Sequence, residues 1–281
     1  MRPQISQMNA DTETHDAGNL VPNCLGNSIA LLVLLFFTLT AQAALPNIWP
    51  PNIKAPQPAE LAKQCAALDT ASLPAELKPA AQFQKTFLKI LASKPPKAQL
   101  LEQDWVAELR AFIAADRENN PVAHGVAEVA RAWLARVQMQ AIDAALHQYY
   151  RQNVHFPDQF SAIQARLPEP LRLDPWGQPW VYEPRAPQGI SKLALQRYHL
   201  GAAKFLSLGT LSDTVSQRHS ILPAWKITLR NLGDKPALEI RIAASSATLQ
   251  PGGKTGDHTL LYIGENWALF AGPDQLFAVP F

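Results

Sequence analysis

Ile142-Asp143-Ala144-Ala145-Leu146-His147-Gln148-Tyr149-Tyr150, then Val154-His155-Phe156-Pro157, then Asp174-Pro175-Trp176-Gly177-Gln178-Pro179-Trp180-Val181-Tyr182: these three runs decide how the chain folds. In and just before the first, Met139, Ile142, Leu146 and Tyr149 recur at the spacing that lines one face of a helix. In the last, Asp174 before Pro175 can cap a turn, and Gly177 permits the positive φ that the turn needs. Trp176, Trp180 and Tyr182 then supply the apolar surface to cover the helix end. This is a folding device and not a set of reactive groups.

Upstream, from Ala59 to about Gln152, the chain is rich in Ala, Leu, Gln and Glu, with breaks at Ser72–Pro74, Pro95–Pro96 and Glu118–Pro121. Leu100, Trp105, Leu109 and Phe112 recur at near-helical spacing between two of these breaks. The pattern predicts three or four helices, the last running from about Val122 to Gln152. Before them, residues 44–57 carry Pro46, Pro50, Pro51 and Pro56, which remove backbone donors and disfavour helix, so the segment reads as an extended tether. Downstream, Lys226–Arg230 and Ala237–Ile242 alternate polar and apolar residues around Asn231-Leu232-Gly233-Asp234-Lys235-Pro236, the signature of a hairpin. Thr259–Ile263, Trp267–Ala271 and Gln275–Val279 follow as short strands. The five runs predict a small antiparallel sheet or sandwich.

At the other end, Ile29–Leu39 is free of charge and nearly free of polar groups, too short for a comfortable span of ~20 residues, and is followed by small Ala41 and Ala43. It reads as an export signal cleaved after Ala43. The preceding region is long, its only cation is Arg2, and Asp11, Glu13 and Asp16 are acidic, so a later start at Met8 and a retained weak anchor both stay open. Loss of residues 1–43 takes one of 25 Lys+Arg and three of 23 Asp+Glu, leaving +4. No basic stripe exists for a phosphate backbone, which excludes a nucleic-acid role. Cys24 would leave with the signal and precedes the apolar run, so it is no lipid anchor. Cys65 is then a lone thiol, read as a buried helical side chain.

The motif formed by the Ala-Leu-x-x-Tyr helix ending at Tyr149, the pair Phe156-Pro157 and Asp174-Pro175-Trp176-Gly177-x-Pro179-Trp180-x-Tyr182 resembles the periplasmic domain of the major pseudopilin of type II secretion systems. Tyr149 lies seven residues before Phe156, as the family's Tyr precedes its own aromatic, and Trp180 alone replaces a Tyr. The likeness covers about residues 130–213. It implies a long helix packed on a small antiparallel sheet, and a place among secretion or pilus-type proteins. Two departures qualify it. No Gly precedes Phe37-Thr38-Leu39 and no Glu follows, so the chain lacks the prepilin head and is not expected to polymerise as a pilin. Where the family has an Asp-rich calcium loop after Ser-Leu-Gly, this chain has Ser207-Leu208-Gly209-Thr210-Leu211-Ser212-Asp213. One carboxylate is too few for a hard cation that takes six to eight oxygens, so no cofactor or metal is expected.

Catalytic signatures are not found. Gly252-Gly253-Lys254-Thr255 ends like a phosphate-binding loop, but Thr248 stands where the first Gly is needed, and the segment reads as a turn between strands. There is no Gly-x-Ser-x-Gly, His-Glu-x-x-His or Cys-x-x-Cys. His147 and His155 flank a helix end without a ligand spacing. Asp104, Glu108, Asp116 and Glu118 read as the solvated face of a helix and its terminus.

The expectation is an α+β protein: N-terminal helices (58–121), a pseudopilin-like long helix with a small antiparallel sheet (122–215), and an antiparallel β module (222–281). Its expected work is non-catalytic: an accessory or diverged structural or binding component of secretion or pilus-type machinery. It would sit in the periplasm or outside the cell, or be anchored in the inner membrane facing the periplasm, with protein partners of the envelope and membrane contact only through an uncleaved N-terminus. The motif residues expected to carry the fold are Tyr149, Phe156, Pro157, Asp174, Pro175, Trp176, Gly177, Pro179, Trp180 and Tyr182. The rival reading is a periplasmic enzyme or ligand-binding protein with a site lined by Trp176, Trp180, Trp225 and Trp267. An exported domain unrelated to secretion is the third.

Overall fold

The computed structural model describes residues 48–49, 60, 63, 66–68, 70–71, 73–93, 97–185, 197–206, 208–209, 211, 225–232, 235–242, 245–273 and 275–281. The export segment 1–43, Cys65, Ser207 and Asp213 lie outside them. Thr40–Phe281 is one compact unit with an α+β fold. None of the described helices is long and apolar enough to cross a membrane.

The central element is α3, Pro121–Asn153, preceded by α1, Lys78–Ala92, and α2, Asp104–Ala114, and followed by the one-turn α4, Ser161–Gln164. Its start is set chemically. The Asn120 side-chain oxygen accepts from the N–H groups of Val122 and Ala123, each at 3.1 Å, and Pro121 at the first position needs no donor of its own. At the other end Val154 adopts φ 64 and its N–H donates to the Tyr150 carbonyl at 2.7 Å. A glycine is usual in that left-handed position. Here a β-branched residue holds it with 77% of its surface exposed.

The helix is buried on every side over much of its length. Each residue from 132 to 140 is buried, Arg136, Gln138 and Gln140 included. Its first half shares a core with α1 and α2, in which Phe87 lies 5.5 Å from Trp133 and Phe83 5.7 Å from Phe112. The expected stripes fall inside: Trp105 and Leu109 of α2 are buried and Phe112 is partly so, although Leu100 sits on a 3-10 turn before α2 and not on the helix itself. The second half of α3 forms another core, where Met139, Ile142 and Leu146 meet Phe156, Trp180 and Leu200.

Among the described residues, three antiparallel sheets complete the fold. β1, Val181–Arg185, pairs with β2, Arg197–Gly201, and this hairpin supplies Trp180, Tyr182, Tyr198 and Leu200 to the second core. β3, Lys226–Leu232, β4, Lys235–Ile242, and β5, Ser245–Leu249, form a three-stranded sheet. β6, Lys254–Thr255, β7, His258–Ile263, β8, Trp267–Ala271, and β9, Leu276–Pro280, form a four-stranded one.

The four-stranded sheet is covered on both faces. Leu261, Leu269, Ala271, Leu276 and Ala278 join the helical core, while Leu260, Ala268, Phe270, Phe277 and Val279 meet Leu238, Ile240 and Leu249 of the other sheet. Burial on both faces is why its strands read as nearly continuous apolar runs. The expected 222–281 module is accordingly not closed on itself, since one face of its four-stranded sheet completes the helical core. The tether expected over 44–57 is pinned within the same core: Ile48 and Trp49 are buried, with the Trp49 ring 5.9 Å from Trp267.

Helix α3 meets the sheet tightly at Gly125, where an added Cβ would stand 2.2 Å from Leu261 Cδ2. Leu261 lies at the register shift of β7 between Leu260 and Tyr262, and it is buried. Gly125→Val is therefore expected to destabilise the fold by about 2 kcal/mol through overpacking, read as a lowered urea midpoint at unchanged slope. Val154→Gly should do the opposite. Relief of left-handed strain of about 1–2 kcal/mol, less the added chain entropy of glycine, should raise the melting temperature by a few degrees.

Candidate functional site

The Asp174–Gln178 turn is held by one carboxylate. Asp174 N–H donates to the Gln178 carbonyl at 2.8 Å and Gly177 N–H to the Asp174 carbonyl at 2.9 Å, with Gly177 at φ 77. The Asp174 Oδ1 accepts from the Trp176 and Gln178 N–H groups at 3.0 and 2.8 Å, and Oδ2 accepts from Ala203 N–H at 3.3 Å. A carboxylate only 4% exposed thus has three backbone donors, and the last ties the turn to the chain leaving β2.

The aromatic residues of the motif separate from this turn. Trp180 is buried and its indole N–H donates to the Leu171 carbonyl at 3.0 Å. The Tyr182 hydroxyl donates to the Pro157 carbonyl at 2.7 Å, which joins β1 to the Phe156-Pro157 pair. Burial, with Asp158 and Tyr149 nearby, pushes the Tyr182 phenol up to about 12. Tyr149 packs at the edge of this core against His155, at 5.9 Å between rings, while Tyr150 lies 4.8 Å from Phe156. Trp176 departs from the expectation. It does not cover the helix end but reaches back to Glu128, its indole N–H 3.3 Å from both carboxylate oxygens across 48 residues of sequence.

That contact opens a chain of charges along α3. Lys204 pairs with Glu128 and lies 5.6 Å from the Trp176 ring, which packs 5.5 Å from Phe205. Arg131 bonds Glu128 and Asp116, each at 2.8 Å, and His124 Nδ1 lies 3.0 Å from Asp116. Burial pushes both carboxyls up, but for Glu128 the Lys204, Trp176 and Arg131 donors outweigh it, and for Asp116 those of His124 and Arg131 do, so both lie below their ordinary values. Asp116 is therefore not a solvated charge, while Glu108, a third exposed, bonds Thr86 and Lys89 of α1 at the surface. Asp104 and Glu118 are exposed as expected. Only the Glu128–Arg131 pair, three residues apart on α3, has a local signal in the sequence; the other partners sit on other segments of the chain.

Beside the network lies a cleft of about 220 Å³ between α3, the turn after β2 and the β6–β7 hairpin. His124 and Glu128 edge it from the helix, Lys204 from the turn and Lys254 and Thr259 from the hairpin, over a floor that includes Val129, Ala132 and Phe205. The expected turn is confined to the first half of Gly252–Thr255: Gly252 turns at φ 91, whereas Lys254–Thr255 is strand β6 itself, paired with β7.

A second polar group gathers around Asp143, which accepts from the Tyr198 hydroxyl and lies 3.7 Å from His147 Nε2. Burial and the Asp143 carboxylate both push the Tyr198 phenol far up, so it stays a protonated donor. His147 also packs 5.5 Å from Phe156, and His155 Nδ1 lies 2.9 Å from the Phe156 carbonyl. The four tryptophans of the rival reading do not converge: Trp176 and Trp180 belong to the second core, Trp225 packs with Phe270 of the sandwich, and Trp267 stacks between Trp49 and Tyr262. Among the described residues no cluster of three or more His, Cys, Asp or Glu is arranged to hold a metal.

Comparison with protein-family models, with curated proteins and with solved structures returned no match to this chain.

A group whose pKa is depressed on folding contributes stability that is complete above its unfolded value and lost as pH falls through its folded one. The ordinary value for Glu128 is 4.5, so that loss begins as the pH drops through this region. Glu128→Gln should cost about 1 kcal/mol at neutral pH and make the decline below pH 4.5 shallower, both read from urea midpoints across pH.

Proposed function

We propose that this chain is an exported, non-catalytic protein related to the type II secretion pseudopilins, serving as an accessory or diverged binding component of secretion or pilus-type machinery. The observation that carries the reading is the Asp174–Gln178 turn. A left-handed Gly177, a carboxylate bonded to its own turn and the Tyr182–Pro157 tie pack a small hairpin against a long helix. That is the arrangement the sequence resemblance implies. The burial of α3 by α1, α2 and the four-stranded sheet supports a part that does not polymerise through this helix, since its first half has little free surface to offer a neighbour.

Its partners are then proteins of the envelope. A photo-reactive residue at exposed Val154, in the full chain expressed in its own host, is expected to cross-link a component of secretion or pilus-type machinery after periplasmic export. Retention of the chain in the cytoplasm, or recovery of no such component while the machinery is assembled, would overturn the reading.

A further inference from the structure

We propose that neutral His258 latches one end of the two-sheet sandwich over Trp225, and that its protonation releases this end while the rest of the chain stays folded. This conformational device does not depend on which partner the chain binds.

The latch is a matter of packing. Thr259 pairs with Ala271, so the next position along puts His258 across from Gly272, where β8 turns toward β9. Gly272 has no side chain and the imidazole takes that space: a Cβ there would stand 3.4 Å from His258 Cδ2 and 3.6 Å from Nε2. The other walls are aromatic. The Trp225 ring lies 5.1 Å from His258 and the Phe277 ring 5.5 Å, at interplanar angles of 87° and 85°. Trp225 in turn packs 5.1 Å from Phe270 and 6.3 Å from Phe277. Phe270 and Phe277 are fixed in the buried core of the sandwich, so His258 alone among these rings can take up a proton. Trp225 immediately precedes β3, and its packing sets where that strand enters the sandwich.

The neighbours do little to hold a charged ring in this place. Burial dominates and holds the imidazole below its ordinary value of 6.5, although the Asp257 carboxylate and the Thr255 carbonyl of the same hairpin both favour the imidazolium. Lys254 of that hairpin lines the cleft beside α3 with Thr259. From β3 the facing side chain is Trp225, while Lys226 and its cross-strand partner Arg241 of β4 are exposed. β8 and β9 present Phe270, Gly272 and Phe277, none of them titratable. Asp274, in the turn between these strands, lies outside the described residues. A histidine depressed on folding leaves the closed form fully favoured above pH 6.5, and the closed form loses ground as the pH falls below that value. Attraction of an imidazolium to the Trp225 face would act in the opposite direction and raise the imidazole, so the sign of its shift separates the two effects.

The isotope-labelled full chain is followed by NMR from about pH 7.5 to about pH 5.5, above the range in which Glu128 begins to lose its partners. The His258 ring is expected to titrate with a midpoint below 6.5, and the Trp225 indole N–H to shift with that same midpoint. Amide protection, corrected for the intrinsic exchange rate, should fall roughly threefold in β3 and the β6–β7 hairpin and hold steady in α1 and α3. His258→Phe and His258→Gln, neither of which takes a proton, should both abolish this fall, and Asp274→Asn should keep it. A His258 midpoint at or above 6.5 would overturn the proposal, as would a Trp225 signal that ignores that midpoint. So would protection lost evenly along the chain, a fall that survives in both His258 variants, or one that vanishes in Asp274→Asn. The first two readings need no substitution, so they decide the matter even where a variant does not fold.

Discussion

The fold is organised around a helix whose middle, residues 132–140, cannot face water on any side. At 33 residues α3 is about 50 Å long, and the uninterrupted burial of residues 132–140 means that no single layer can cover it. An ordinary surface helix needs one apolar stripe matched by one partner. Here α1 and α2 take one side of the first half, the four-stranded sheet another, and the hairpin with α4 and the aromatic corner wraps the second half. Small residues make this possible. Gly125, Ala127, Ala130, Ala132 and Ala135 let neighbours come close, and Trp133 fills the space facing Phe87. Arg136 enters the same interior with its guanidinium 5.0 Å from the Trp133 ring, which gives a buried cation a polarisable surface.

The polar ties have a different role from the apolar ones. A buried ion pair seldom adds much net stability, because desolvation offsets its attraction, but it discriminates among packings that the hydrophobic effect leaves nearly equal. Glu128 does this for the corner. Apolar burial would tolerate Trp176 at several heights along α3, whereas an indole N–H and an ammonium meeting one carboxylate select a single one. Asp174 does the same at short range, since its carboxylate is saturated only when the turn and the exit of β2 are both in place.

What could be read from sequence was whatever is decided locally. The limits of α3 follow from Asn120, Pro121 and the periodicity through Leu146. The positive φ of Gly177 follows from the turn, and β3, β4, β7, β8 and β9 fall within a residue or two of their alternating or apolar runs. The short β5 and β6 were not legible, being Ser, Thr and Lys segments whose strand character comes from their neighbours. Nor was the destination of each apolar face. Leu260 and Leu261 are adjacent and equally apolar, and only the second sheet and the helices determine that one belongs to the sandwich and the other to the helical core. Proline-rich chain around Trp49 looked like a spacer because local preference says nothing about a tryptophan that finds a partner more than two hundred residues away. The polar site was hidden for the same reason: Glu128, Lys204 and Lys254 come from three elements.

The cleft is a consequence of joining two shapes that do not match. A twisted sheet can lie flush against a straight helix over only part of its length. Contact is tight at Gly125 and Leu261, where the register shift in β7 brings a leucine into the space that glycine leaves open. Along α3 from that point a gap remains between the helix, the turn after β2 and the hairpin, edged by Glu128, Lys204, Lys254, Asp257 and Thr259. Larger side chains at Gly256, Ala271 and Gly272 would have filled the opening with protein. The chain instead keeps small residues inside the gap, while the rim carries both signs of charge, Lys204 and Lys254 beside Glu128 and Asp257.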